Sequence, residues 1–248
     1  MDTNRWRLEG QLALVTGASA GIGLAIAREL AALGAHLLLV AREEDPLQEA
    51  REELAELHPG QDFLAMSADV AVDEDRQAIL DWVEDQDEGL HILVNNAGGN
   101  VSKAAVDYTE DEWRRIFETN LFSAFELSRY AHPLLARHAA SSIVNIGSVS
   151  GLTHVRSGVV YGMSKAALHQ MVNTFGEGFF VADAKTVAFP VLLANQFDAV
   201  KNQAHPCATP ELAGQRGFCP PDNVAVNHAV QRAVAVQADI KHRPLCRK

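Results

Sequence analysis

Three side chains in the middle of the chain have the types and spacing needed to move a proton. Tyr161 and Lys165 stand in Tyr161-Gly-Met-Ser-Lys165, four residues apart, so a helix would place them on one face. A phenol ordinarily titrates near 10, too high for a base at neutral pH. A lysine cation about 4 Å away, at an effective dielectric of about 20, contributes roughly 4 kcal/mol, or about 3 pKa units at most. Ser148 lies thirteen positions before the tyrosine, in Asn145-Ile-Gly-Ser-Val-Ser-Gly151. Its hydroxyl could hold a carbonyl or alcohol oxygen while the phenol gives or takes the proton. The spacing alone also suits a partly exposed tyrosine–lysine pair with no chemical role.

Far upstream, Thr16-Gly-Ala-Ser-Ala-Gly-Ile-Gly23 joins a short apolar run to a helical pattern. Gly17 permits a tight strand-to-helix turn, and a side chain at Gly21 or Gly23 would obstruct either a pyrophosphate or helix packing. Free N–H groups at the helix start would face phosphate charge. The spacing is Gly-x-x-x-Gly-x-Gly, which also fits a purely structural turn. After the second apolar run come Ala41 and Arg42. An acidic residue there would bind the ribose 2′-hydroxyl of NAD, whereas an arginine can pair with the 2′-phosphate of NADP. NADP(H) is therefore favoured and NAD(H) is the alternative. Arg42 could instead be a solvated residue paired with Glu43 or Glu44. The two groups together suggest a nicotinamide-dependent reductase or dehydrogenase.

The elements that must position these groups are legible as alternating patterns. Leu12–Val15, Leu37–Val40, Phe63–Met66, Ile92–Val94, Ser141–Ile146 and Thr186–Phe189 read as strands. Helices are expected from Gly21 to Leu33, after an Asp45-Pro46 cap through Leu47, Ala50, Leu54 and Leu57, and from Asp73 to Glu84. Thr109-Glu-Asp-Glu112 has the capping-box pattern, and a further helix carries Tyr161 towards Gly176. Apolar strands alternating with helices predict an α/β fold: a single doubly wound Rossmann-type domain with a mainly parallel sheet flanked by helices.

These motifs in combination resemble a classical short-chain dehydrogenase/reductase, over about Arg5 to Met171. Arg5-Trp-Arg-Leu-Glu-Gly10, Ala13-Leu-Val-Thr-Gly17 and Asn145-Ile-Gly-Ser-Val-Ser-Gly151 particularly resemble the tropinone reductase-like branch. The resemblance implies a cofactor loop of Thr16, Gly17, Ser19, Gly21, Ile22 and Gly23. It implies adenine contacts from Asp69 and Val70, and support of sheet and cofactor from Asn95, Asn96, Ala97 and Gly98. It also implies a catalytic tetrad of Asn120, Ser148, Tyr161 and Lys165, in which Tyr161 and Lys165 also meet the cofactor. Asn120 would link the lysine to solvent through its backbone geometry and a water. A homodimer or homotetramer is implied, through helices around Phe117–Arg137 and Val159–Phe175. Asp69 could equally cap a turn, and the asparagines could satisfy buried backbone groups.

After Met171 the family pattern fades. Gly176 and Gly178 weaken the helix, Val191 replaces an expected glycine, and the closing Asp-Gly-Gly strand has no counterpart. The domain reading is thus one unit over 1–248, matching the family through about 190 and atypical from 191, with its last strand undetermined. Pro221-Asp-Asn-Val-Ala225 resembles the start of a last helix. His205, Cys207, Cys219 and His228 fit no compact metal-ligand spacing, and His154 reads as a loop histidine near the pocket. The net charge of −11 disfavours nucleic acid, no stretch suits a membrane span, and three cysteines point to a reducing cytoplasm. The leading expectation is an enzyme acting on a small-molecule carbonyl or alcohol. The alternatives are a dinucleotide-binding relative that has lost turnover, and an unstable product of a damaged coding sequence.

Overall fold

The computed structural model describes residues 7–86, 89–138, 140–153, 156, 158–173 and, as backbone alone, 174 and 186–191. Six strands form one sheet: β1 Leu12–Thr16, β2 His36–Ala41, β3 Phe63–Ser67, β4 Ile92–Asn95, β5 Ser141–Ile146 and β6 Thr186–Val191. Their order is β3-β2-β1-β4-β5-β6, and every neighbouring pair is parallel. The chain builds outward from β1 to β3, then returns across β1 to start β4. That reversal leaves a crevice beyond the carboxyl ends of β1 and β4, where loops diverge to opposite faces.

The strands of the sheet centre are apolar on both faces because helices cover both. Ala13, Val15, Leu37 and Leu39 point to one layer, packed with Ile26 and Leu30 of α1 (Gly21–Ala32) and Leu47 and Leu54 of α2 (Glu44–Leu57). Leu14, Leu38, Val40 and Leu93 point to the other, where Ile79 and Val83 of α3 (Asp73–Glu84) meet residues of a later helix, Leu127 and Leu135. Alternation at period two thus sorts each strand's side chains between two cores.

One local expectation is corrected. Asp45 is not the cap of α2: the helix begins at Glu44, behind Glu43, which makes no side-chain capping bond. Asp45 and Pro46 sit inside the first turn, where a proline's missing N–H is harmless and acidic groups suit the helix dipole. Leu57 ends the helix, as its spacing predicts, and is 63% exposed. The Thr109 capping box is present, with both reciprocal bonds to Glu112, and opens α4 (Glu110–Phe117). A π-helical turn, Glu118–Phe122, for which the sequence carries no signal, separates α4 from α5 (Ser123–Leu135). Among the described residues, α6 (Val159–Thr174) is the last helix, and no helix is long and apolar enough to cross a membrane. His154, His205, Cys207, Cys219, His228, the helix expected from Val224 and the region after Val191 lie outside the described residues.

The turn from β1 into α1 divides its glycines between two physical tasks. Gly23 packs so closely that an added Cβ would lie 2.1 Å from the Gly17 carbonyl oxygen, which belongs to backbone and cannot swing away. Gly21 has φ +56 with nothing within 4 Å of an added Cβ, so its demand is conformational and its surroundings are open. Gly23→Ala should therefore destabilise the fold by roughly 2–3 kcal/mol and Gly21→Ala by only about 1 kcal/mol, measured by urea unfolding. Equal losses would refute this division.

Candidate active site

The crevice is laced together at backbone level before any ligand is considered. The Thr16 hydroxyl donates to the Val94 carbonyl at 3.2 Å and accepts the N–H groups of Asn96 and Ala97, both at 3.0 Å. The Asn96 amide donates back to the carbonyls of Thr16 and Gly17, at 2.9 and 3.1 Å. Gly17 must be glycine here: its φ is +65, and a Cβ would sit 2.8 Å from the Asn96 amide nitrogen. Thr16 and Asn96 are thus struts that fix the loops leaving β1 and β4 against each other. Asn95 plays a similar part deeper down, donating to Ser128 Oγ and Asn145 Oδ1, each at 3.0 Å.

A cavity of about 880 Å³ opens beyond these struts. Gly17 and Ser19 line it from the first loop, Ala41 and Arg42 from the end of β2, Asp69 and Val70 from the end of β3, and Ala97 and Gly98 from the end of β4. Among the described residues Arg42 forms no ion pair, so the expected alternative of pairing with Glu43 or Glu44 is absent. Asp69 is opposed by burial, but the Arg115 guanidinium, the Ala71 N–H and the charge of Arg42 together hold its carboxyl below the usual range. Its contact with Arg115 is direct, and its other oxygen accepts the Ala71 N–H at 3.0 Å. Asp69 therefore does fasten the turn that follows it, and it does so while facing the cavity.

The proton-transfer candidates lie just beyond β5, on the π-helical turn and on α6, and none of Asn120, Ser148, Tyr161 and Lys165 lines this cavity. Lys165, on α6, is 5% exposed; its ammonium donates to the Ile146 carbonyl at 2.8 Å and lies 5.9 Å from the Tyr161 ring centroid. Burial pushes its pKa down to about 8. Ser148 follows β5 and caps the short turn Val149–Gly151, its hydroxyl accepting the Ser150 N–H at 3.1 Å. That turn is pressed onto α6. A Cβ at Gly151 would lie 2.6 Å from the Lys165 carbonyl carbon, and one at Gly162 would lie 3.1 Å from the Ser150 carbonyl oxygen. Asn120, within the π-helical turn, accepts the Gly99 N–H at 2.8 Å and donates to the Gly99 carbonyl and to Ser164 Oγ, at 2.9 and 3.1 Å.

Gly98 joins the two halves. It lines the cavity, and its missing Cβ would lie 3.2 Å from Asn120 Oδ1 and 3.7 Å from Lys165 Nζ. Of the expected loop residues, Gly17, Ser19, Ala97 and Gly98 face the cavity, whereas Thr16, Gly21, Ile22, Gly23 and Asn96 do not line it. Sequence reasoning missed Arg115, which reaches Asp69 across 46 positions, and the cavity residues Gly99, Asn100 and Thr119. It also missed His169, whose Nε2 accepts the Ser148 N–H at 3.2 Å. Only His169 carried a signal, since it continues the four-residue spacing of Tyr161 and Lys165.

A family model described as short chain dehydrogenase matches residues 11–179. A tropinone reductase homolog of Arabidopsis thaliana is 43% identical over 171 residues, covering 68% of this chain; the chain spans 63% of that relative's length. L-Sorbose reductase from Gluconobacter frateurii, solved with NADPH and L-sorbose, superposes with a TM-score of 0.67 at 32% identity, covering 70% of this chain and 65% of its own. A metagenomic short-chain oxidoreductase in complex with NADP gives 0.69 at 30% identity, covering 75% and 82%.

The buried ammonium makes stability depend on pH in a definite direction. Because the folded-state pKa of Lys165 lies below the unfolded value, the unfolded chain binds more protons between pH 8 and 10.5. Stability attributable to this group therefore rises with pH across that window, by about 3 kcal/mol in total. In paired unfolding titrations, Lys165→Met should lack that increment while sharing every other pH effect. Parallel stability curves for the two proteins would contradict the burial of a charged amine at this position.

Proposed function

The chain belongs to the short-chain dehydrogenase/reductase family, in its tropinone reductase-like branch, and from that premise we propose that it interconverts a small-molecule ketone and a secondary alcohol using NADP(H). The observation that carries this reading is the seating of the Ser148 turn on the helix holding Tyr161 and Lys165, with Gly98 of the glycine-lined cavity next to Lys165.

The residues present fit a dinucleotide. The cavity has the volume of a cofactor site, Gly21 leaves open space where a pyrophosphate would approach the start of α1, and Gly98 leaves open the approach to Lys165. Gly17 and Ser19, which line the cavity, would meet the phosphates, with Thr16, Gly21, Ile22 and Gly23 shaping the turn that presents them. Asp69 and Val70 would flank the adenine, and Ala97 and Gly98 would form the floor, braced from behind by Asn96. Arg42, at the end of β2 and without an ion-pair partner among the described residues, suits a 2′-phosphate; this favours NADP(H) over NAD(H). A nicotinamide held there would supply the hydride for reduction of the carbonyl carbon and accept it in oxidation.

The chain's own groups handle the oxygen and its proton. Tyr161 gives its phenolic proton to the carbonyl oxygen in reduction and takes it from the alcohol in oxidation. Ser148 donates a hydrogen bond to that oxygen and holds it beside the phenol. Lys165, still mostly protonated at neutral pH, favours the phenolate electrostatically and would also bond the cofactor ribose. Asn120 anchors the Gly99 backbone beside Lys165 and supports the proton path. Exposed Trp113, Phe122, Phe125, Tyr130 and Met163 on α4, the π-helical turn, α5 and α6 suit burial between copies in a homodimer or homotetramer.

Thermal melts with NADPH, NADH and no ligand test the cofactor reading. NADPH should raise the transition most, and Arg42→Ala should remove most of its advantage; a larger shift with NADH would defeat the assignment of Arg42. Tyr161→Phe should keep the NADPH shift yet lower ketone reduction by roughly 10²–10⁴-fold, and undiminished turnover would exclude Tyr161 as the acid.

A further inference from the structure

Tyr161, Lys165 and His169 recur every four residues along α6 and form one stripe, which runs beside the carboxyl end of β5. Two members of the stripe hold that strand end by its backbone. Lys165 Nζ donates to the Ile146 carbonyl at 2.8 Å, and two residues on, the Ser148 N–H donates to His169 Nε2 at 3.2 Å. The backbone at Ser148 is extended, with φ −156 and ψ 147, and its hydroxyl is tied to the Ser150 N–H. Ser148 is therefore fixed in two directions, once through its side chain and once through its N–H.

The second tie requires a particular form of the imidazole. Nε2 must be unprotonated to accept, so the neutral ring carries its proton on Nδ1. That Nδ1 is buried and has no partner among the described residues. An apolar side chain of similar size would avoid this unpaired buried donor, but it would leave the Ser148 N–H without its acceptor. Burial and the neighbouring Lys165 cation both push the His169 pKa down, which keeps the accepting form populated.

We propose that His169 is a positioning residue for Ser148: it accepts the Ser148 N–H and so sets where the serine hydroxyl stands relative to Tyr161. The proposal rests on the reading of Ser148 as the residue that orients the substrate oxygen. His169 touches neither the reacting atoms nor the cavity; it acts through the backbone of Ser148.

Three variants separate this role from simple packing. Glutamine places an amide oxygen where Nε2 stands, whereas asparagine reaches only to the Nδ1 position, and leucine has no acceptor. The readouts are hydrogen exchange of the Ser148 amide by NMR, the NADPH-induced thermal shift, and kcat and KM for a ketone reduced by the unaltered enzyme. In His169→Leu and His169→Asn the Ser148 amide should exchange about tenfold faster and kcat should fall by about tenfold, with the NADPH shift retained. His169→Gln should restore both to within about threefold. If His169→Leu does not fold, His169→Asn carries the comparison. Ser148 protection unchanged in the variants lacking an acceptor, or glutamine as impaired as asparagine, would overturn the proposal. Should the unaltered protein reduce no ketone, the oxidoreductase reading fails, while Ser148 exchange still decides whether His169 holds that N–H.

Discussion

An ammonium group buried between a helix and the end of a strand is the constraint around which the candidate site is arranged. Lys165 is almost fully enclosed, and its pKa of about 8 reflects the desolvation of a charge that its environment only partly compensates. Its hydrogen bond to the Ile146 carbonyl fixes α6 against β5. Once that contact is set, Tyr161 lies one turn before it and His169 one turn after it, and the Ser148 turn can only pack where Gly151 and Gly162 admit it. A neutral, apolar residue would be easier to bury. A cation in a poorly screened place acts strongly on a neighbouring phenol, so the feature that costs stability is also the one that would lower the pKa of Tyr161 under the proposed mechanism.

That arrangement depends in turn on the parallel sheet. In a parallel sheet every strand ends on the same side, so residues remote in sequence are delivered to one edge: Thr16, Arg42, Asp69, Asn96 and Ser148 all lie at or just beyond a strand's carboxyl end. The order β3-β2-β1-β4-β5-β6 then places the glycine loop and the Ser148 turn on either side of the reversal. Delivery to an edge is not yet positioning. The struts from Thr16 and Asn96, and the Asn95–Asn145 pair across β4 and β5, convert a set of neighbouring loops into a fixed frame.

Periodicity carries the strands and most helices, because period two and period 3.6 are local properties that a few residues can display. Asp73–Glu84 and Ser141–Ile146 have the bounds their sequences predict. The start of α2 misleads because Asp-Pro is a strong local signal both for a cap and for a first turn, and the choice between them lies in tertiary packing. The π-helical turn around Asn120 has no glycine or proline to mark it. Its extra residue changes which groups face α6, and that is a property of packing between helices. For Asp69 the sequence leaves a cofactor contact and a turn cap as alternatives, yet one carboxylate both faces the cavity and fastens the turn. Arg115 could not be found from any window of sequence, since its partner is 46 positions away.

The charge pattern of the cavity derives from these long-range pairings. The chain is strongly acidic overall, so its long-range field repels a dinucleotide rather than attracting one. Attraction must therefore be local. Asp69 would add a negative charge where the cofactor's adenosine end would lie, but Arg115 pairs with it, and the Ala71 N–H occupies its second oxygen. With Asp69 neutralised in this way, Arg42 stands as a positive group lining the same wall without an ion-pair partner among the described residues. An arginine already committed to Glu43 or Glu44 would have to break that pair before meeting a phosphate, losing much of what it gained. With Arg115 paired to Asp69, the carboxylate is shared between two guanidinium groups, a direct contact from Arg115 and the longer-range charge of Arg42, so the acidic group on this wall is locally offset.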